Sequence, residues 1–211
     1  MTGFLVTKDP LTDSNCYMIE EEGHVLIIDP NQKQTITKII KDHHWIIDYV
    51  ILTHEHCDHM QGLNDLRKMY QFPVVAQEKC SENLGNKVRN MSGMMGTYLY
   101  FKNGGKEIIP YEPFTCEPAE ITFDKTYDFI WKDHEIQLTS VPGHTAGSCC
   151  ILMDGINLFS GDYLLPSDED PTIFPGGSKE DYENYAKPWM ENLNEGLHIY
   201  PGHGKDYILK K

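Results

Sequence analysis

The sequence predicts an α+β fold, and three observations carry that expectation. Short apolar runs bounded by turn residues crowd the first thirty residues and return after residue 125. Between them lie stretches whose apolar side chains recur at helical spacing. Histidines and aspartates then stand just past the ends of several strand-like runs.

Taken in order, residues 4–7, 15–19 and 24–28 read as three strands, with a polar Glu-Glu-Glu-Gly turn before the third. Asp29 ends that third run and is a candidate partner for a functional residue, or a plain turn residue before Pro30. Asn31 is placed to cap a helix over 32–42, where Ile36, Ile39 and Ile40 share one face. Residues 47–53, apolar but for Asp48 and the closing Thr53, read as a buried strand. Residues 60–70 carry Leu63, Leu66 and Tyr70 on one helical face. A short strand at 73–76 and a weak helix at 78–84 follow.

Residues 85–120 are different. Gly, Pro and Met interrupt any period. A loop of that length inside a domain is usually functional. The expected role is a lid, with Met91, Met94, Met95, Tyr98, Tyr100 and Phe101 as an adaptable apolar wall. An ordered excursion packed on the surface is the other reading. Strands return at 127–131, 134–141, 148–153 and 156–159. Ser178 opens a capping pattern with Asp181, Pro188 kinks or restarts the helix behind it, and 197–200 is a last strand.

The chain is organised around Thr53-His54-Glu55-His56-Cys57-Asp58-His59. Imidazole nitrogen and carboxylate oxygen suit zinc, iron and manganese. Side chains two apart in extended chain point the same way, so His54 and His56 can share one ion. Asp58 and His59, further round the turn, can serve a second. His144, Asp162 and His203 each sit in a turn after a strand, two of them in Pro-Gly-His bends that aim the ring. His24, His43, His44, His134 and His198 lack such settings and read as structural or solvated. Cys57 lies between the donors and is a minor candidate for a further ligand or a redox switch, whereas Cys149 and Cys150, in a strand-like run, read as core.

Composition narrows the function classes. The 211 residues fit one domain, residues 1–211, with the 85–120 excursion. The net charge of −14 disfavours a phosphate backbone, so no nucleic-acid partner is expected. No run approaches the ~20 apolar residues of a membrane span, and no leader pattern opens the chain. The six cysteines show no scaffold spacing and read as reduced thiols, which points to the cytoplasm.

These residues carry a family resemblance. Asn15-Cys16-Tyr17, Ile28-Asp29-Pro30, the His-x-His-x-Asp-His block, Pro142-Gly143-His144-Thr145 with Gly147-Ser148, Phe159-Ser160-Gly161-Asp162 and Pro201-Gly202-His203-Gly204 occur in the order seen in the metallo-β-lactamase superfamily. The sequence is similar to that family over nearly its whole length. The resemblance implies a four-layer αββα sandwich with metals at one edge of two sheets. It implies that His54, His56 and His144 hold one ion, that Asp58, His59 and His203 hold the other, and that Asp162 bridges them.

Within the superfamily, Asp162 departs from the true zinc β-lactamases, which lack that bridge. His56 departs from the flavin-dependent diiron branch, which has Glu there. Leu165 stands where acyl-homoserine lactonases have Tyr. The chain most resembles short glyoxalase II-like hydrolases, so the helical glutathione-binding domain that follows Pro-Gly-His-Gly in glyoxalase II proper is not expected. The expected cofactors are two divalent ions, zinc first, with iron or manganese as alternatives. Two ions ~3.5–4 Å apart that share a water lower its pKa toward ~7. Hydroxide attack on a small thioester or other activated ester is therefore the expected reaction, with Asp58 able to accept a proton as well as bind metal. A lactonase, a mononuclear iron persulfide dioxygenase using residues at His54, His144 and Asp162, and a protein that binds metal without turnover are the alternatives.

Overall fold

A computed structural model describes residues 3–166 and 171–211 of the chain. Its first sheet runs β1 (Gly3–Lys8), β2 (Asn15–Glu21), β3 (His24–Ile28), β4 (Ile46–Ile51), β5 (Val74–Gln77) and β6 (Ile121–Phe123), in that spatial order. The β1–β2–β3 meander is antiparallel and β3 to β6 pair in parallel. Helices α1 (Lys33–His43), α2 (Cys57–Met60) with α3 (Leu63–Met69), and α4 (Glu78–Asn83) lie in the crossovers. α5 (Met95–Lys102) lies in the long excursion before β6.

The second sheet contains β7 (Thr126–Trp131), β8 (His134–Ser140), β9 (Cys149–Met153), β10 (Asn157–Gly161), β11 (His198–Pro201) and β12 (Tyr207–Ile208). Its order is β12-β11-β10-β9-β8-β7. Between β10 and β11 the chain passes through α6 (Lys179–Asp181), a π-helical turn (Tyr182–Ala186) and α7 (Lys187–Glu191).

Strand alternation builds the layers. β2 sends Tyr17 and Ile19 to the face between the sheets, and Cys16 and Met18 to the opposite face. β3 divides Leu26 and Ile28 from Val25 and Ile27 in the same way. The inner set meets Ile136, Leu138, Ile151 and Phe159 of the second sheet. The outer set meets Ile36 and Ile40 of α1 and Leu63 and Leu66 of α3. On the far side, Tyr182 and Ala186 cover Cys150, Leu158 and Ile199. Helix, sheet, sheet and helix therefore stack as an αββα sandwich. The central strands β3, β5 and β9 are buried on both faces and read as near-continuous apolar runs, whereas β7 and β8 alternate between buried and exposed positions.

Several elements depart from the sequence expectation. Asn31 does not cap α1. It is fully buried, and its amide donates to Ser14 O at 2.5 Å, tying α1 to the loop before β2. The helix expected over 60–70 is two helices broken at Gly62. A Cβ there would stand 2.9 Å from Pro30 O, and Gly62 N donates to that same carbonyl at 2.8 Å. Pro188 falls at the start of α7, after the π-helical turn, where its missing N–H is accommodated. The excursion contains α5, hidden in the sequence by Gly and Met. Among the described residues no helix is long and apolar enough to cross a membrane.

Candidate metal centre

All seven metal-ligand candidates converge at one edge of the two sheets. His54 and His56 follow β4, and Asp58 and His59 lie on α2. His144 sits between β8 and β9, Asp162 just after β10, and His203 just after β11. Their donor atoms fall into two principal groups, His54, His56, His144 and Asp162 in one, and Asp58, His59 and His203 in the other.

Asp162 stands between the groups. Its Oδ2 is 3.4 Å from His144 Nε2 and 4.0 Å from His54 Nε2. Its Oδ1 is 3.2 Å from His59 Nε2 and 3.5 Å from His203 Nε2. Asp58 Oδ2 is 3.5 Å from His203 Nε2.

In His59, His144 and His54 the Nδ1 nitrogen is committed elsewhere. His59 Nδ1 faces Asp29 Oδ2 at 3.0 Å. His144 Nδ1 faces Thr172 O at 2.7 Å. Thr53 Oγ1 donates to Asp29 Oδ2 at 2.6 Å and so accepts from His54 Nδ1 at 3.0 Å. Each hold puts the ring proton on Nδ1 and leaves Nε2 with a lone pair directed at the centre, as second-sphere partners do in metal sites. Asp29 is thus a working partner of the site as well as a turn residue.

The donor set fits divalent ions on the structure's own terms. His54 Nε2 and His56 Nε2 are buried without hydrogen-bond partners. His56 Nδ1 and His144 Nε2 face each other at 3.1 Å, and His59 Nε2 and His203 Nε2 at 3.4 Å. Buried polar atoms are ordinarily paired, and an orphan aimed into a cluster of like donors marks a place for a cation. Burial, joined by neighbouring imidazoles, pushes the His54 and His56 rings well below the usual histidine range, and burial lowers His144. For His59 burial acts downward, but Asp162 and Asp58 outweigh it and the ring stands well above that range. For Asp162 burial acts upward and is outweighed by His203 and His59, leaving the carboxyl well below its usual value.

Close packing leaves no slack here. A Cβ on Gly202 would overlap Asp162 Oδ1 and press on His59. Tyr163 fixes the His144 turn, accepting from His144 N at 2.8 Å and donating to Val141 O at 2.7 Å. Glu55 is fully buried beneath the donors. Its carboxylate accepts from Thr145 Oγ1 at 2.7 Å and from Asn83 Nδ2 at 2.8 Å, and so joins the His54–His56 loop to the His144 loop and to α4. Burial raises its pKa. Sequence reading did not single out Glu55. Its signal was a charged residue between two ligands that face one way. Cys57 belongs to no donor group among the described residues, and burial pushes its thiol up to about 12. His24, His43, His44, His134 and His198 also stand outside the donor groups.

Two chambers open onto the centre. The inner one, about 40 Å³, is lined by Met91, Met95, Asp58 and His56. The outer one, about 160 Å³, is lined by Thr12, Lys102, Leu165 and Thr172 with His144 and His203. Tyr98 and Phe174 line both and meet edge to face, 5.8 Å between ring centres. The apolar wall expected from the excursion is therefore corrected in membership. Met91, Met95 and Tyr98 face the chambers, whereas Met94 is 40% and Phe101 72% exposed and neither lines them. Tyr100 also lies outside the chamber walls. Phe174, from the Pro-Gly-Gly loop, completes the wall instead.

The fold and the donor set define the class: an αββα protein with a His/Asp metal-binding cluster at the sheet edge. The chain belongs to the metallo-beta-lactamase superfamily, whose family model matches residues 9–203. It is 25% identical over 195 residues to the "Probable metallo-hydrolase YqgX" of Bacillus subtilis, covering 92% of this chain and 86% of that one. It is 26% identical over 174 residues to a hydroxyacylglutathione hydrolase of Citrobacter koseri, covering 82% of this chain and 52% of that one. The chain thus spans about half the length of that enzyme. In fold it is similar to BLEG-1 B3 metallo-beta-lactamase, with TM-score 0.78, 21% identity and coverage of 99% and 94%. It is likewise similar to TTHA1623 in a di-iron-bound form, with TM-score 0.72, 20% identity and the same coverage.

Proposed function

We propose that the protein is a dinuclear-metal hydrolase of thioesters or similarly activated esters with a small, uncharged acyl group. One observation carries the reading: the two oxygens of Asp162 divide between two donor sets, Oδ2 toward His54 and His144, Oδ1 toward His59 and His203. A carboxylate so placed offsets the repulsion between two dications. His54, His56 and His144 would hold one ion, Asp58, His59 and His203 the other, with Asp162 shared. Such ions, when bound, supply a nucleophilic water at neutral pH and polarise a carbonyl.

The chain's own groups do the rest. Asp58, its Oδ2 among the donors and facing the inner chamber, is placed to take the proton that water gives up as it adds. Met91, Met95, Tyr98 and Phe174 exclude bulk water from the reacting carbonyl and admit only a small acyl group. Water is added across the C–S or C–O bond, the acyl carbon leaves as the carboxylic acid, and the thiol or alcohol takes the remaining proton. Likeness to a hydroxyacylglutathione hydrolase and to a probable metallo-hydrolase supports hydrolysis of this kind.

Metal analysis of protein prepared in zinc, iron and manganese, followed by a panel of acyl thioesters and lactones, tests the reading. Two ions per chain and thioester turnover that stops on chelation are expected. One tightly held ion, with oxygen uptake on a persulfide and no hydrolysis, would replace it with a dioxygenase.

A further inference from the structure

Each donor set is assembled from both sheets. His54, His56, Asp58 and His59 follow β4 of the first sheet, whereas His144 and His203 follow β8 and β11 of the second. The sheets meet through apolar side chains, and apolar contact has no direction. Metal ligands must stand within about 0.2 Å of their proper distances. Hydrogen bonds are directional and can supply that precision. For His54, His56 and His144 the cross-link is the bond from Thr145 Oγ1 to Glu55.

The other set is cross-linked at the start of β2. Ser14 Oγ donates to Asp58 O at 2.7 Å, and Ser14 pairs with His203 as an antiparallel bridge. Asn15 N donates to Gly202 O at 2.7 Å. Asn15 Nδ2 donates to Pro201 O at 2.8 Å and to Gly204 O at 3.0 Å. Tyr17 Oη adds a bond to Pro201 O at 2.6 Å. Two adjacent residues, both buried, thus hold the helix that carries Asp58 and His59 and both flanks of the turn that carries His203. Among the described residues Asn15 Oδ1 is buried without a partner. An orphan acceptor is costly, so packing alone does not account for an asparagine here, whereas its N–H groups do.

We propose that Ser14 and Asn15 are positioning residues for one ion alone. They keep Asp58, His59 and His203 in register across the two sheets, as Glu55 and Thr145 do for His54, His56 and His144. The two ions are then lost independently, and a change at Ser14 or Asn15 leaves a chain that still holds the first. This rests on the two-ion reading above and adds which residues keep each ion in place.

The test titrates the full chain with cobalt(II), followed by its visible absorption, in two backgrounds. His56→Ala leaves the Asp58, His59 and His203 set intact, and His203→Ala leaves the other. Asn15→Leu keeps the side chain's bulk and removes its N–H groups. In the His56→Ala background it is expected to weaken cobalt binding about 10- to 100-fold, with Ser14→Ala toward the lower end, as when a ligand loses its supporting partner. In the His203→Ala background both changes should leave the affinity as it was, and Glu55→Ala should weaken it there instead. Equal weakening in both backgrounds overturns the proposal, because general loosening of the fold would do the same. No weakening in His56→Ala overturns it equally. So does a His56→Ala chain that takes up no cobalt, since a set that holds no ion has nothing to keep in register. If Asn15→Leu does not fold, Ser14→Ala, which removes one hydroxyl, carries the same comparison. Thioester turnover is a separate readout. The selective losses uphold the positioning role even if no thioester is hydrolysed, and then the hydrolase reading alone falls. Turnover without the selective losses sinks the positioning role alone.

Discussion

The donor edge and the excursion over residues 85–120 face each other across the chambers, and they are held in opposite ways. At the edge, ring orientation is set by a side chain or carbonyl given to that purpose: Asp29 for His59, Thr172 for His144, Thr53 for His54. The groups beneath are fully buried, and Gly202 leaves no room for one carbon more. The excursion is tied down chiefly at its base. Asn90 donates to Leu84 O and Phe114 O, and its own carbonyl accepts from Cys57 N at 2.8 Å. Arg67 holds the carbonyls of Glu117 and Pro118. Its α5 rests on a small cluster of Met91, Met95 and Leu99 against Cys57, and leaves Phe101 in solvent. The donors thus stand on a frame that cannot give, and the apolar wall of the chambers on flexible Met side chains that can.

The contrast breaks most sharply at Asp162. Asp162→Ala is expected to lose one ion and at least ~10²-fold in kcat/KM, ~2.7 kcal/mol of transition-state stabilisation. Metal content and steady-state kinetics check this together, and a variant that keeps both ions at normal activity would show that the carboxylate does not bridge. Next in size is Glu55. Glu55→Ala removes the acceptor shared by half-buried Asn83 Nδ2 and buried Thr145 Oγ1, the latter keeping only Ser148 Oγ and Gly147 N, and should lower stability by about 1–3 kcal/mol. Glu55→Gln, which keeps an acceptor, should recover part of that. Denaturant midpoints at constant slope measure both. If Glu55→Ala is neutral, the frame is looser than its contacts imply.

The wall should answer more mildly. Met95→Ala with Tyr98→Ala is expected to raise KM several-fold and to keep both ions, since neither residue type ligates in the donor groups. Loss of metal in that variant would make the excursion part of the frame. Met94→Ala, at an exposed position, should change neither kinetics nor stability by more than about 0.5 kcal/mol.

Much of the donor edge was legible before any coordinates. Strong metal-ligating side chains are few, and here they fall just after strands, in turns that only a handful of residue types can form. Such a pattern is local, so it survives in the sequence. The αββα layering was legible through the family resemblance carried by those same turns. The two-residue strand β12 and the three-residue β6 were not, because neither is long enough to show a period. α5 was masked by Gly96 and its Met neighbours.

What the sequence by itself determined was which side chains gather at the edge and the strands that bring them there. What only the tertiary structure decided was how those side chains are oriented and what surrounds them. The Glu55–Thr145 contact joins residues 90 apart, and His144 turns toward Thr172 28 residues on. Glu and Thr are common surface residues whose types announce no role. Each acquires one only when packing of the two sheets brings distant loops within a hydrogen bond of each other, and no spacing along the chain encodes that distance.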